Sequence, residues 1–179
     1  MGALSLIGVV TLSPAVDVTY QLASVQLGEV NRVEAVTKAP GGKGLNVARV
    51  LKKLGSKAVL HAPLGGASGA WIKEQLASLE VEVIATNIAA ETRSAVAIVA
   101  QETSVFNEPA SAVTETELVD LASKLASYEF VVVTGSVPAS VSVERFGKLL
   151  ESIKQKSKLL LVDTTGDYLI AASKHADYL

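Results

Sequence analysis

Phe130-Val131-Val132-Val133-Thr134 is an apolar run closed by Gly135. After Ser142 come Phe146, Leu149, Leu150 and Ile153, and then Leu159-Leu160-Leu161-Val162. An apolar run without polar alternation suits a strand buried on both faces, while steps of three and four residues mark one face of a helix. Strand, helix and strand in that order predict a parallel pair joined by a right-handed crossover. The same pattern recurs upstream. Leu4–Thr11 and Ala58–Ala62 read as buried strands, and Val47, Ala48, Leu51 and Leu54 fall on one helical face with Arg49, Lys52 and Lys53 off it. Gly55 is the expected stop of that helix. Thr114-Glu115-Thr116-Glu117 forms a capping box ahead of Leu118, Leu121 and Leu125. The fold class is α/β with a mostly parallel sheet.

Two stretches depart from the alternation. Asp17-Val18-Thr19-Tyr20-Gln21-Leu22 alternates polar and apolar residues, as a half-exposed strand does, and Ser94–Ala100 and Ser104–Asn107 flank Gln101-Glu102 as a hairpin would. These segments predict a small antiparallel sheet standing off the main layer. Its apolar face needs a cover, either a cleft beneath it or a second copy of the chain. The expected division is a main α/β unit of residues 1–16, 39–91 and 108–179, with a β lid of 17–38 and 92–107.

Composition narrows the partners. The 179 residues are 49% hydrophobic and only 4% aromatic, so the core is built of aliphatic side chains. A net charge of −2 with interspersed signs supplies no basic field for nucleic acid or a membrane surface. There is no cysteine, which excludes disulfides and thiolate metal sites and suits a reducing compartment. No apolar run approaches the roughly 18 residues of a membrane span. A cytoplasmic protein without nucleic-acid or membrane partners is expected. Neither His61 nor His175 has a partner at metal-ligand spacing, and Trp71 and the tyrosines read as packing residues.

The strongest local signal is Pro40-Gly41-Gly42-Lys43-Gly44-Leu45-Asn46. Paired glycines let backbone N–H groups approach an oxygen-rich ligand, and a helix starting behind them adds free donors and a partial positive charge. Asn46 lies one turn from Gly42 and can face the same ligand. The stretch matches neither a Walker A loop nor G-x-G-x-x-G. From the residues alone, a ligand cradle and an ordinary tight turn into a helix both remain open.

Colinear motifs extend this signal. Thr11-Leu12-Ser13-Pro14-Ala15-Val16-Asp17, Gly28-Glu29-Val30-Asn31-Arg32 and Gly41 to Arg49 come first. Leu64-Gly65-Gly66, Glu91-Thr92-Arg93, Asn107-Glu108-Pro109, Thr134-Gly135-Ser136-Val137-Pro138 and Asp163-Thr164-Thr165-Gly166 follow. Together they resemble the N-terminal part of the phosphofructokinase-B (ribokinase-like) carbohydrate kinases, of the 1-phosphofructokinase and tagatose-6-phosphate kinase type. The resemblance implies a three-layer α/β/α fold with a β lid, dimers formed through the lid, and ATP with Mg2+ as phosphoryl donor. It implies a ketose phosphate as acceptor, fructose 1-phosphate or tagatose 6-phosphate. The matching Asp17 would bind sugar hydroxyls, and Arg93 the phosphate already on the sugar, with Arg32 and Lys43 as further cations. Gly41, Gly42 and Asn46 would complete the cradle. Ser136, at the C-terminal end of a buried strand, would touch substrate or cap a following helix. Asp163-Thr164-Thr165-Gly166 reads as a strand end, with Thr164 and Asp167 opening a helix.

The resemblance also implies, beyond the strand and helix represented by Leu159–Lys174, an Asn-x-x-Glu motif associated with magnesium and later a Gly-Ala-Gly-Asp motif carrying the catalytic base, and neither follows Lys174 in the given sequence. The chain is therefore expected to supply the acceptor side only and to be inactive as a kinase by itself. An unpaired sheet edge with apolar faces uncovered on both sides is expected as well. Competing readings are a non-catalytic sugar-phosphate-binding fragment and a same-fold kinase for an unphosphorylated sugar or nucleoside. A dinucleotide-binding protein is a further alternative whose glycine fingerprint is missing.

Overall fold

A computed structural model describes residues 6–179. The chain runs β1 (Ile7–Val10), β2 (Ala15–Gln21), β3 (Ala35–Gly41), α1 (Lys43–Lys53), β4 (Ala58–Leu64), α2 (Gly66–Ser78) and β5 (Glu82–Asn87). It continues with β6 (Ser94–Val99), β7 (Thr103–Asn107), α3 (Glu115–Ser123), β8 (Tyr128–Thr134), α4 (Val143–Lys156), β9 (Ser157–Asp163) and α5 (Asp167–Ala172). Strands β5-β4-β1-β8-β9 form one sheet, parallel throughout. Helices cover both faces, making the expected three-layer α/β/α fold.

Neighbouring residues of the strands serve opposite cores. Val9 and Leu60 face α1 and α2, where Leu45, Ala48, Ile72 and Leu76 pack, whereas Val10 and Val59 face the other way. On that second side Val131, Val133, Leu160 and Val162 meet Leu121, Phe146, Leu150 and Ile153 of α3 and α4. Period-two side-chain alternation in a doubly covered sheet produces this division and explains the continuous apolar runs.

The helix boundaries follow their caps. Thr114 and Glu117 form the expected capping box of α3, and Ser142 accepts the Arg145 amide at the start of α4. Helix α1 stops where Gly55, in left-handed conformation, donates to the Lys52 carbonyl. Thr164 does not open α5 as the sequence suggests. Gly166 is the N-cap without a side-chain bond, and the Thr164 hydroxyl is buried with no partner among the described residues.

The second sheet has the order β3-β2-β6-β7 and is mixed, which corrects the antiparallel expectation. Its outer pairs are antiparallel, but the central pair β2 and β6 is parallel, with Asp17 opposite Ala95. Both strands leave the main sheet in the same direction, β2 after β1 and β6 after β5, so they arrive side by side and co-directed.

The sheet edge also differs from expectation. Beside β9, the Asp177 amide donates to Leu160 O, and the Val162 amide donates to Tyr178 O. Apolar exposure is confined to one face. Leu160 and Val162 are fully buried under α4, while Phe130 and Leu161 on the other face are 37% and 39% exposed. The expected strand Leu4–Thr11 begins at Ile7 in the described chain, and residues 1–5 lie outside the described residues.

His61 on β4 is 1% exposed, with Nε2 2.7 Å from the hydroxyl of buried Tyr128. Desolvation pushes its pKa down to about 4. An unfolded histidine titrates near 6.5, so between those values the unfolded chain binds the extra proton. This contribution to stability is complete above pH 6.5 and fades as pH falls toward 4. Urea unfolding should show about 2 kcal/mol lost between pH 7 and pH 5 from this group, and His61→Gln should flatten that slope.

Candidate functional site

The mixed sheet overhangs the C-terminal ends of the parallel strands, and a cavity of about 620 Å³ lies between them. Ligands of open α/β sheets bind at this end because helix N-termini and loops converge there. The cavity is lined by Asp17 from β2, Gly42, Lys43 and Asn46 from the start of α1, Arg93 from the approach to β6, and Ser136 following β8. Ser13, Asn107, Gly135, Thr164 and Thr165 also line it.

Local chemistry accounts for these positions. Gly42 is the N-cap of α1 with φ 96°, a left-handed conformation that a side chain would strain. Gly41 ends β3 against β2, and a Cβ there would run into the Asp17 carboxylate. The glycine pair turns the chain into the helix and clears room for the Asp17 carboxylate; Gly42 lines the cavity, whereas Gly41 does not.

Burial raises the Asp17 pKa above the ordinary carboxylate value, and the charges of Arg93 and Arg49 act in the opposite sense. Arg49 also reaches Pro40 O at 3.3 Å and Asn46 Oδ1 at 3.4 Å. It braces the cavity from behind. The sequence placed Arg49 off the apolar face of α1 and gave it no role, although its spacing of three residues from Asn46 is a contact spacing on a helix.

Arg93 is fixed at several points. Its amide donates to Ser111 Oγ at 3.0 Å, and Nη1 donates to Glu108 O at 2.8 Å. Its Nε is buried without a partner among the described residues, and Nη1 is the nitrogen bonded to the Glu108 carbonyl, out of five N–H donors on the guanidinium.

Lys43 stands near the strand ends, where Nζ approaches Asp163 Oδ1 and Oδ2 at 3.2 and 3.0 Å. Bonds from Lys43 and from the Thr134 hydroxyl hold the Asp163 carboxyl below its usual pKa. The two side chains are 58% and 49% exposed, so their pairing adds little to stability. The sequence marks Asp163 only as a strand end, and its partnership with Lys43 spans 120 residues that no local pattern connects.

Ser136 caps no helix, since α4 starts at Val143 behind Ser142. Arg32 does not line the cavity. It sits exposed in the segment between β2 and β3, and its own chain does not bring it to Arg93 or Lys43. Ser13 and Thr164 were missed as lining residues. Their hydroxyls are buried and unpartnered, a signal legible only in three dimensions.

Among the described residues, no three acidic or histidine side chains gather as a metal site, and no helix is long and apolar enough to cross a membrane.

The chain is similar to known proteins in sequence and in fold. Tagatose-6-phosphate kinase of Staphylococcus epidermidis is 32% identical over 164 residues, covering 89% of this chain and 53% of that protein. Escherichia coli phosphofructokinase-2 in complex with fructose-6-phosphate superposes with a TM-score of 0.89 at 29% identity, over 94% of this chain and 57% of that one. The tetrameric inhibited form of the same enzyme gives 0.87 at 28% identity, with coverages of 94% and 57%. The chain thus spans about half the length of the relatives it matches. Residues 10–179 match the family described as pfkB family carbohydrate kinase. The chain belongs to the pfkB family of carbohydrate kinases.

Proposed function

We propose that this chain forms the acceptor-binding half of an ATP-dependent kinase for a ketose phosphate, with tagatose 6-phosphate or fructose 1-phosphate as the acceptor. The observation that carries the proposal is the shared cavity. It holds a half-buried carboxylate, Asp17, a guanidinium with an unpartnered Nε, Arg93, and the N-terminus of α1 at Gly42 and Lys43. Each suits one part of such a ligand. A carboxylate accepts hydrogen bonds from two sugar hydroxyls, a planar guanidinium engages phosphate oxygens, and helix N–H groups favour negative charge. A neutral sugar would leave Arg93 Nε without an anionic acceptor, which favours a phosphorylated substrate over an unphosphorylated one.

In this role Arg93 binds the phosphate already on the sugar, while Asp17 and Asn46 orient its hydroxyls. Ser136 contacts the substrate from the end of β8. Lys43, loosely held by Asp163, can turn toward ligand oxygens because an exposed ion pair opposes that motion weakly. The overhanging sheet limits water access to the bound sugar.

ATP with Mg2+ would supply the transferred phosphoryl group and neutralise its charge. The described residues offer no clustered set of carboxylates for the metal, so none of them is assigned to it. Phosphoryl transfer by the full machinery of the family is a property proposed for the whole protein.

The mixed sheet and its connecting segment carry exposed apolar side chains, among them Leu27, Val30, Val36 and Phe106. These support dimerisation through the lid, with Arg32 on the same segment. Sedimentation velocity should show a dimer that Phe106→Glu combined with Val36→Glu shifts toward monomer.

Calorimetric titration with tagatose 6-phosphate and with tagatose tests the substrate reading. Arg93→Ala should weaken the phosphorylated sugar by about 2–3 kcal/mol, roughly 50-fold, and leave tagatose unchanged. Equal binding of the two sugars by the unaltered protein would refute a phosphate site. Asp17→Asn should weaken both ligands, and Gly41→Ala should do the same by displacing the Asp17 carboxylate.

A further inference from the structure

Glu91 belongs to the Glu91-Thr92-Arg93 motif but does not line the cavity. Its carboxylate instead reaches back to the start of α2, where Oε1 accepts the Ser68 amide at 2.6 Å and Oε2 accepts the Ala67 amide at 3.2 Å. Helix α2 has no cap of its own. Its N-cap is Gly65, and its first turn contains no acidic residue. The cap therefore comes from a residue more than twenty positions later in the chain, and Gly66 is shaped to admit it. Gly66 is left-handed at φ +65°, and a Cβ there would occupy the place of the Glu91 carboxylate.

Thr92 continues the attachment. Its hydroxyl accepts the Gly65 amide at 2.9 Å, and its own amide donates to Gly65 O at 3.0 Å. The next residue is Arg93, whose carbonyl accepts the Val16 amide at 2.9 Å. Glu91 and Thr92 are thus bonded to the main unit immediately before the chain enters the second sheet.

Resting on the proposed role of Arg93 as the phosphate ligand, we propose that Glu91 is a positioning residue for Arg93. By clamping the chain onto the start of α2, it fixes the root from which the Arg93 guanidinium reaches the substrate's phosphate. An arginine side chain has four flexible torsions, so where its Cα is anchored decides which oxygens the fork can meet. A shift of about 1 Å at the root is enough to spoil a two-point contact with a phosphate. The bond from Nη1 to Glu108 O steadies the far end of the side chain, and the near end is held by the clamp together with the bonds of the Arg93 amide to Ser111 Oγ and of the Val16 amide to the Arg93 carbonyl. Glu91 itself never touches the ligand in this scheme.

A plain helix cap and a positioning clamp differ in what they do to two ligands. A cap acts on stability and treats phosphorylated and unphosphorylated sugar alike. A clamp acts through Arg93 and is felt only by the phosphate. Titration calorimetry with tagatose 6-phosphate and tagatose, run on the unaltered protein, Glu91→Ala, Arg93→Ala and the double variant, separates them.

Glu91→Ala is expected to lower affinity for tagatose 6-phosphate about 10-fold, to leave tagatose unchanged, and to add nothing further in the Arg93→Ala background. Glu91→Gln keeps one acceptor oxygen for the Ser68 amide and should recover part of the loss. It carries the same comparison should the alanine variant not fold. Adding Ser68→Asp to Glu91→Ala restores negative charge to the first turn of α2 without tying down the clamp, so it should raise the melting temperature but not the affinity.

Unchanged affinity in the Glu91 variants while Arg93→Ala weakens binding would overturn the clamp and leave the phosphate site standing. So would equal losses for both sugars, or losses that simply add to that of Arg93→Ala. An unaltered protein that does not distinguish the two sugars would instead remove the phosphate site, and the clamp with it.

Discussion

The hydrogen bond from the Val16 amide to the Arg93 carbonyl, 2.9 Å long, opens the single parallel pairing of the mixed sheet, and the site depends on it. It sets the register that places Asp17 opposite Ala95, so a residue from near the chain's start and another from its middle enter one cavity. The direction of this pairing is inherited from the main sheet. Strands β1 and β5 are co-directed there with β4 between them, and each continues past the sheet's end into the overhanging layer. Antiparallel neighbours β3 and β7 then widen that layer. Strand β3 brings the chain back to Gly41 and Gly42, where α1 begins beneath the overhang. Cavity, overhang and helix N-terminus are consequences of one topological arrangement.

Much of this arrangement was legible in the sequence because the relevant signals are local. Buried parallel strands announce themselves as unbroken aliphatic runs, and α3 carries its own capping box. The hairpin at Gln101-Glu102 is a short-range event and forms between the two strand-like segments that flank it. What the sequence concealed involves distant partners. Alternation marks β2 and the hairpin at Gln101-Glu102 marks β6, but neither signal carries information about the direction of their pairing. Helix α2 begins Gly66-Ala67-Ser68-Gly69-Ala70, small residues with no apolar stripe, and its cap is supplied from Glu91. Its glycines reflect close packing: a Cβ on Gly69 would press on the Leu64 backbone and the Thr92 hydroxyl.

The candidate site divides in the same way. Asp17, Gly42, Lys43, Asn46, Arg93 and Ser136, all named from motifs, come together in one cavity. Arg32 does not join them within its own chain, since it lies on a connecting segment whose direction no motif specifies. Arg49 and Asp163 went unassigned because their contacts are made through a helix turn and across the sheet, respectively.

The charges around the cavity bear on what it can hold. Lys43 is matched by Asp163, and Arg49 faces Asp17, whose carboxyl is raised by burial and counteracted by the nearby guanidiniums. Of the charged groups, Arg93 is the one that retains an unpartnered buried donor among the described residues. A buried charged donor without an acceptor is costly, by about 1–3 kcal/mol or more, and an anionic ligand oxygen removes that cost where a hydroxyl does so only in part. The same reasoning sets Arg93 apart from Lys43. In the proposed role Lys43 would trade an existing partner for a ligand and so gain less from binding, whereas Arg93 would gain a bond it lacks. On the proposed reading, selectivity for a phosphorylated sugar over a neutral one would rest on the arginine that the overhanging sheet carries, and the lysine at the helix start would contribute adaptability more than affinity.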